Sequence, residues 1–206
     1  MKNPSLTWSV STLVVAVVLW YILFQTRVVD FWAMLTVSTM ILLLFSVGLN
    51  GGLGISGTVT PRNLGLGVVS GVLLYLFFRG SYEVVQGLDF MSGGVQGVYD
   101  LGVGTPAVYV ALLLLAPISP GEEIYWRGLI QRSLQNRITP TTAWLLTAAV
   151  YTGVHLPTLN PPLLITAFIG GLVWGFLFMR TKSVTAGAVS HIVFNQLIFV
   201  LLPLGG

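Results

Sequence analysis

Residues 10–24 form an unbroken run without a charged side chain, and runs of the same kind recur to the end of the chain. This recurrence constrains the fold more than any other feature. A helix crosses a bilayer with about 20 predominantly apolar residues. On that basis the sequence predicts spans at about 8–25, 31–49, 64–79, 104–118 (continuing as helix to about 136), 141–157, 162–179 and 183–203. Of the 206 residues, 55% are hydrophobic and 7% charged, against about 25% charged in an ordinary soluble domain. Too few polar groups exist to cover a surface facing water, so lipid is the expected solvent for most of the chain. The expected fold is an all-α polytopic transmembrane bundle of about seven to eight spans around an intramembrane cavity. No repeat or linker divides it, so residues 1–206 read as a single integral membrane domain.

The first run ends on Trp20, Tyr21 and Phe24 rather than on small residues, which favours a retained span over a cleaved signal. Residues 81–104 make the one sizeable polar-leaning loop, with Glu83, Asp89 and Asp100 and room for a short interfacial helix. Basic loops stay on the cytoplasmic side. Lys2, Arg62, Arg127, Arg132, Arg137, Arg180 and Lys182 group on one side under this span assignment, and Arg27, Arg79 and the loop acids on the other. The N-terminus is therefore expected in the cytoplasm: at the cell membrane in a prokaryote, at the endoplasmic reticulum in a eukaryote. The net charge of +3 is scattered, with no basic run, and gives no argument for a nucleic-acid partner. Cysteine is absent, which removes disulfides, thiolate metal sites and a cysteine nucleophile.

Ionisable groups inside apolar spans are costly, and they mark function by default. Here they are Glu122, Glu123 and Arg127, with the only two histidines, His155 and His191. Residues four apart share a helix face. Glu123 can thus pair with Arg127, leaving Glu122 about 100° away without that partner. Pro120 and Gly121 suit a helix break or start just before the pair. Tyr151 projects with His155, and His191 with Asn195. At 1.5 Å per residue Glu122 and His155 lie about 22 Å from the cytoplasmic helix ends, and His191 only about 12 Å. Tilt or shifted boundaries must absorb that difference. Gly170, Gly171 and Gly175 read as close helix packing.

Glu122-Glu123-x-x-x-Arg127, Tyr151-x-x-x-His155 and His191-x-x-x-Asn195 occur in that order on adjacent helices, within about residues 115–196 of the motif-bearing half, 104–206. The arrangement resembles the CAAX protease and bacteriocin-processing family, which includes the Ras-converting CAAX endopeptidases. The family pattern has Phe where this chain has Tyr151, so the ring is kept and a hydroxyl added. The resemblance implies an intramembrane glutamate-dependent endopeptidase acting on a membrane-bound peptide, at or near a prenylated C-terminal cysteine or in a leader peptide. It implies that Glu122 and His155 activate a water, that His191 and Asn195 stabilise the oxyanion, and that Glu123, Arg127 and Tyr151 support them. It implies no cofactor and no metal. The partners it implies are membrane lipid and the peptide substrate.

Four rivals share these residues or lie beside them. Two histidines and a glutamate could ligate zinc, although no HExxH is present. A non-catalytic immunity or scaffold protein could use the cavity for binding alone. Gly54-Ile55-Ser56-Gly57 matches a rhomboid-type GxSG but sits in a glycine-rich loop, and Tyr99-Asp100 lacks the GxGD partner of an aspartyl site.

Overall fold

The computed structural model describes residues 5–26, 29–53 and 59–205. Lys2, Arg27 and the Gly54-Ile55-Ser56-Gly57 segment lie outside the described residues. The described residues form eight helices and no strand: α1 Leu6–Gln25, α2 Phe31–Asn50, α3 Pro61–Val85, α4 Asp89–Tyr99, α5 Ala107–Gln135, α6 Pro140–Val154, α7 Pro161–Thr181 and α8 Val184–Leu201. Local chemistry sets where they start. The side chains of Asp30, Thr60, Thr139, Asn160 and Ser183 accept from backbone N–H groups of the first turns of α2, α3, α6, α7 and α8. Prolines open α3, α6 and α7, where a missing N–H costs nothing.

Six helices, all but α4 and α6, are long and apolar enough to cross a membrane. The expected span 141–157 is the exception among the seven. Its helix has 15 residues, about 22 Å at the α-helical rise, against a hydrocarbon core of about 30 Å. Pro157 and Pro161 explain the early stop, because proline cannot continue a helix from within. The chain leaves α6 at His155, makes a tight turn over Leu156–Thr158, and passes through Leu159 in the left-handed region (φ 50°). The loop at 81–104 also differs. α3 runs on to Val85, and α4 occupies most of the rest.

Contacts between helix ends show that the chain alternates. At one end Ser9 bonds Ser133 at 2.8 Å, and Lys182 Nζ donates to Gln135 at 3.0 Å. At the other, Gln25 donates to the carbonyl of Pro157, so α6 with its turn reaches the same level as α1. There also Thr105 donates to Asp30 at 3.2 Å, and Asn160 donates to the Gly94 carbonyl at 2.7 Å. Tyr99 Oη at that end donates to the Ile198 carbonyl and accepts from Leu204 N–H.

Small residues let the helices close on one another. A Cβ at Gly67 or Gly71 of α3 would lie 2.6 Å from atoms of Val189 or Ser190 in α8. Gly171 and Gly175 of α7 accept Tyr151 and Trp144 of α6 in the same way. Gly170 faces Trp174 of its own helix.

Candidate active site

Helix α5 carries the glutamate pair through its middle. No break precedes it. The helix stays continuous past Pro117 and Pro120 by widening into π turns at Leu114–Ile118 and Ile124–Gln131. Such turns absorb missing or displaced backbone bonds and often accompany functional sites. Gly121 serves contact rather than a helix start: a Cβ there would lie 2.6 Å from Thr39 Cγ2 on α2.

The two adjacent glutamates diverge as the spacing predicts. Glu123 is fully buried, with Arg127 Nε 3.3 Å from Oε2 and His191 Nδ1 3.2 Å from Oε1. Gly187 makes room for it, since a Cβ there would stand 2.8 Å from Oε2. The Arg127 guanidinium, also fully buried, lies 5.2 Å from the Tyr151 ring centroid and 6.0 Å from that of Trp174. Glu122 instead faces a cavity of about 140 Å³ and accepts a 2.8 Å hydrogen bond from Tyr151 Oη.

His155 does not lie within a helix but caps the C-terminus of α6. Its Nδ1 is 2.7 Å from the carbonyl of Tyr151, which can only accept, so Nδ1 carries the proton. Its Nε2 is 3.2 Å from Trp20 Nε1, whose N–H can only donate. The imidazole is thus held neutral, in one tautomer, from both sides. His191 gives Nδ1 to Glu123 and stacks on Trp174, with centroids 3.7 Å apart and planes 17° apart. That leaves Nε2 as its nitrogen for the cavity. Asn195 Nδ2 donates to Ser119 Oγ at 3.1 Å.

Glu122, Tyr151, His155, His191 and Asn195 all line this one cavity, while Glu123 and Arg127 stand behind it. The mismatch in depth expected between His191 and the other groups does not separate them, since all line the one cavity. Sequence reasoning missed Trp20, Trp174 and Ser119. Trp20 is one of six tryptophans on apolar segments, and nothing local distinguishes it.

Among the described residues no three His, Asp or Glu side chains gather where they could hold a metal ion. Tyr99 and Asp100 have structural partners: Tyr99 ties α4 to α8, and Asp100 accepts from Gln96 at 2.9 Å.

Fold and cavity together define an integral membrane protein of the polytopic helical type with a buried polar site. Residues 102–197 match the sequence model of the family described as "Type II CAAX prenyl endopeptidase Rce1-like". That segment, just under half of the chain, is similar to the family and holds all three motifs. A protein of Bacillus subtilis (strain 168) described as "Putative membrane peptidase YdiL" is 25% identical over 140 residues, covering 66% of this chain and 55% of that protein. The match therefore takes in little more than half the length of that relative. No solved structure matches the chain.

Proposed function

We propose that this chain is an intramembrane endopeptidase that cleaves membrane-associated peptides with a water activated by Glu122 and His155. The observation that carries this is the convergence of Glu122, His155, His191 and Asn195, from three helices, on one otherwise apolar cavity. A carboxylate and an imidazole can share the proton of an attacking water. His191, as the imidazolium with Nδ1–H on Glu123 and Nε2–H toward the cavity, and the Asn195 amide are the donors for the oxyanion that then forms on the scissile carbonyl. Asn195 Nδ2 carries two N–H groups, so one can serve the oxyanion while the other stays on Ser119. Glu123 and Arg127 hold His191 and α8 in register, and the Tyr151 hydroxyl orients Glu122.

We propose a reaction without metal. The one lone pair of His155 accepts from Trp20, so the imidazole can take up the proton of a water at Nε2 once Trp20 gives up that bond. The matched family and the related membrane peptidase support the peptidase reading. The family's description makes a prenylated CaaX peptide the first substrate to try. Purified protein should cleave it in detergent, the Glu122→Ala form should not, and exhaustive chelation should leave the rate unchanged. Loss of activity on chelation with recovery on adding zinc would transfer the same residues to a metal-bound hydroxide.

A further inference from the structure

We infer that the cavity receives its substrate from the non-cytoplasmic side of the membrane, so that the substrate class is a membrane-anchored peptide presented in the outer half of the bilayer. This rests on the peptidase reading for the word substrate, but not for the side. α1, α2, α4 and α6 contribute to the cavity wall only from the end of the bundle where Gln25 meets Pro157, while α5, α7 and α8 close its floor at mid-bundle with Glu122, Trp174 and His191. α1 gives Trp20 and Phe24 from its last turns, and α2 gives Phe31 from its first. α4, which lies wholly at that end, adds Val95 and Val98.

Beyond the site, toward the other end, the bundle is sealed. Tyr125, Trp126, Arg127 and Leu129 are fully buried. Tyr125 bonds Thr12 of α1 at 3.0 Å, and Gln131 donates to the Gly175 carbonyl of α7 at 2.9 Å, so this plug is tied to the helices around it.

Charge tells the two ends apart. Among the described residues the sealed end holds Arg62, Arg132, Arg137, Arg180 and Lys182 and no acid. The cavity end holds Asp30, Glu83, Asp89 and Asp100 and one base, Arg79, which is paired with Glu83 at 2.9 Å. Basic loops are retained in the cytoplasm. The sealed end is therefore cytoplasmic, and a peptide tail confined to the cytoplasm would meet the plug rather than Glu122.

The absence of native cysteine makes the test direct. Single cysteines are placed by Val98→Cys in the cavity wall, by Asp100→Cys on the exposed rim, and by Arg137→Cys at the opposite end. Intact cells expressing the full chain are treated with a membrane-impermeant maleimide, before and after permeabilisation. The expected result is labelling at 98 and 100 in intact cells and at 137 only after permeabilisation. The reverse pattern overturns the inference. Protection of 98 while 100 reacts also overturns it, because the cavity would then not communicate with that side. A second arm uses a single-pass reporter carrying one peptide segment on either face, co-expressed with wild type or with Glu122→Gln. Glu122-dependent cleavage on the non-cytoplasmic face supports the inference, and cleavage only on the cytoplasmic face overturns it. If neither face is cut while the labelling is as expected, the peptidase reading fails and the sidedness stands.

Discussion

The helices before residue 102 and those after it contribute to the cavity in different currencies. α5, α6 and α8 supply the titratable groups Glu122, Tyr151, His155 and His191 and the amide of Asn195. α1 and α2 supply Trp20, Phe24, Phe31, Trp32 and Leu35, with no ionisable side chain among them. The family match, at 102–197, covers only the first set. The polar set therefore falls within a narrow sequence signature, while the wall contributed by α1 and α2 is apolar and large. Trp20 crosses this division, because its indole N–H reaches the one lone pair that His155 has to offer.

The sharpest test of the division is Glu122→Gln. Glutamine can still accept the Tyr151 hydrogen bond but cannot take a proton. Hydrolysis should fall to background while the protein elutes from size exclusion as wild type does and still binds substrate. Residual turnover in that variant would remove Glu122 from the role of base.

Arg127→Ala should act on the fold instead. It leaves Glu123 buried without its cation, a loss of about 3–5 kcal/mol for a fully buried pair. Folded yield and thermal stability in detergent should both drop. An Arg127→Ala protein as stable as wild type yet inactive would move Arg127 into the reacting group.

Asn195→Ala removes one oxyanion donor and leaves the base. The expected loss is about 10²–10³ in kcat with KM little changed. A rise in KM alone would make Asn195 a binding residue.

Trp20→Phe probes the contribution of the first half most finely. It keeps a ring in the wall and deletes one hydrogen bond, worth about 0.5–1.5 kcal/mol, so kcat should change by no more than about tenfold. With only two histidines in the chain, ¹⁵N-histidine spectra read the consequence directly. The His155 Nε2 resonance should move on losing its donor, while those of His191 stay. A loss as deep as that of Glu122→Gln would erase the distinction between the two halves.

The candidate site was legible as a set of residues because its signals are local. Glu123 and Arg127, Tyr151 and His155, His191 and Asn195 each stand four residues apart, and helix geometry alone puts each pair on one face. The bundle was legible for a similar reason, since apolar runs of span length have few other fates. The short α6 was read as a full span because hydropathy continues past His155, whereas Pro157 and Pro161 stop the helix. The pattern also gave no hint of the π turns of α5, because backbone bonding around Pro117 and Pro120 depends on what packs there.

The sequence by itself determined that this chain lives in lipid, which residues could do chemistry, and how each pairs within its own helix. Only the tertiary structure decided which helices face one another, and so joined Glu122 to Tyr151, His191 to Glu123 and Trp20 to His155. The physical reason is one of range. Periodicity and charge cost act within a few turns of one helix. The meeting of residues 135 positions apart depends on how glycines, prolines and aromatic rings let whole helices approach.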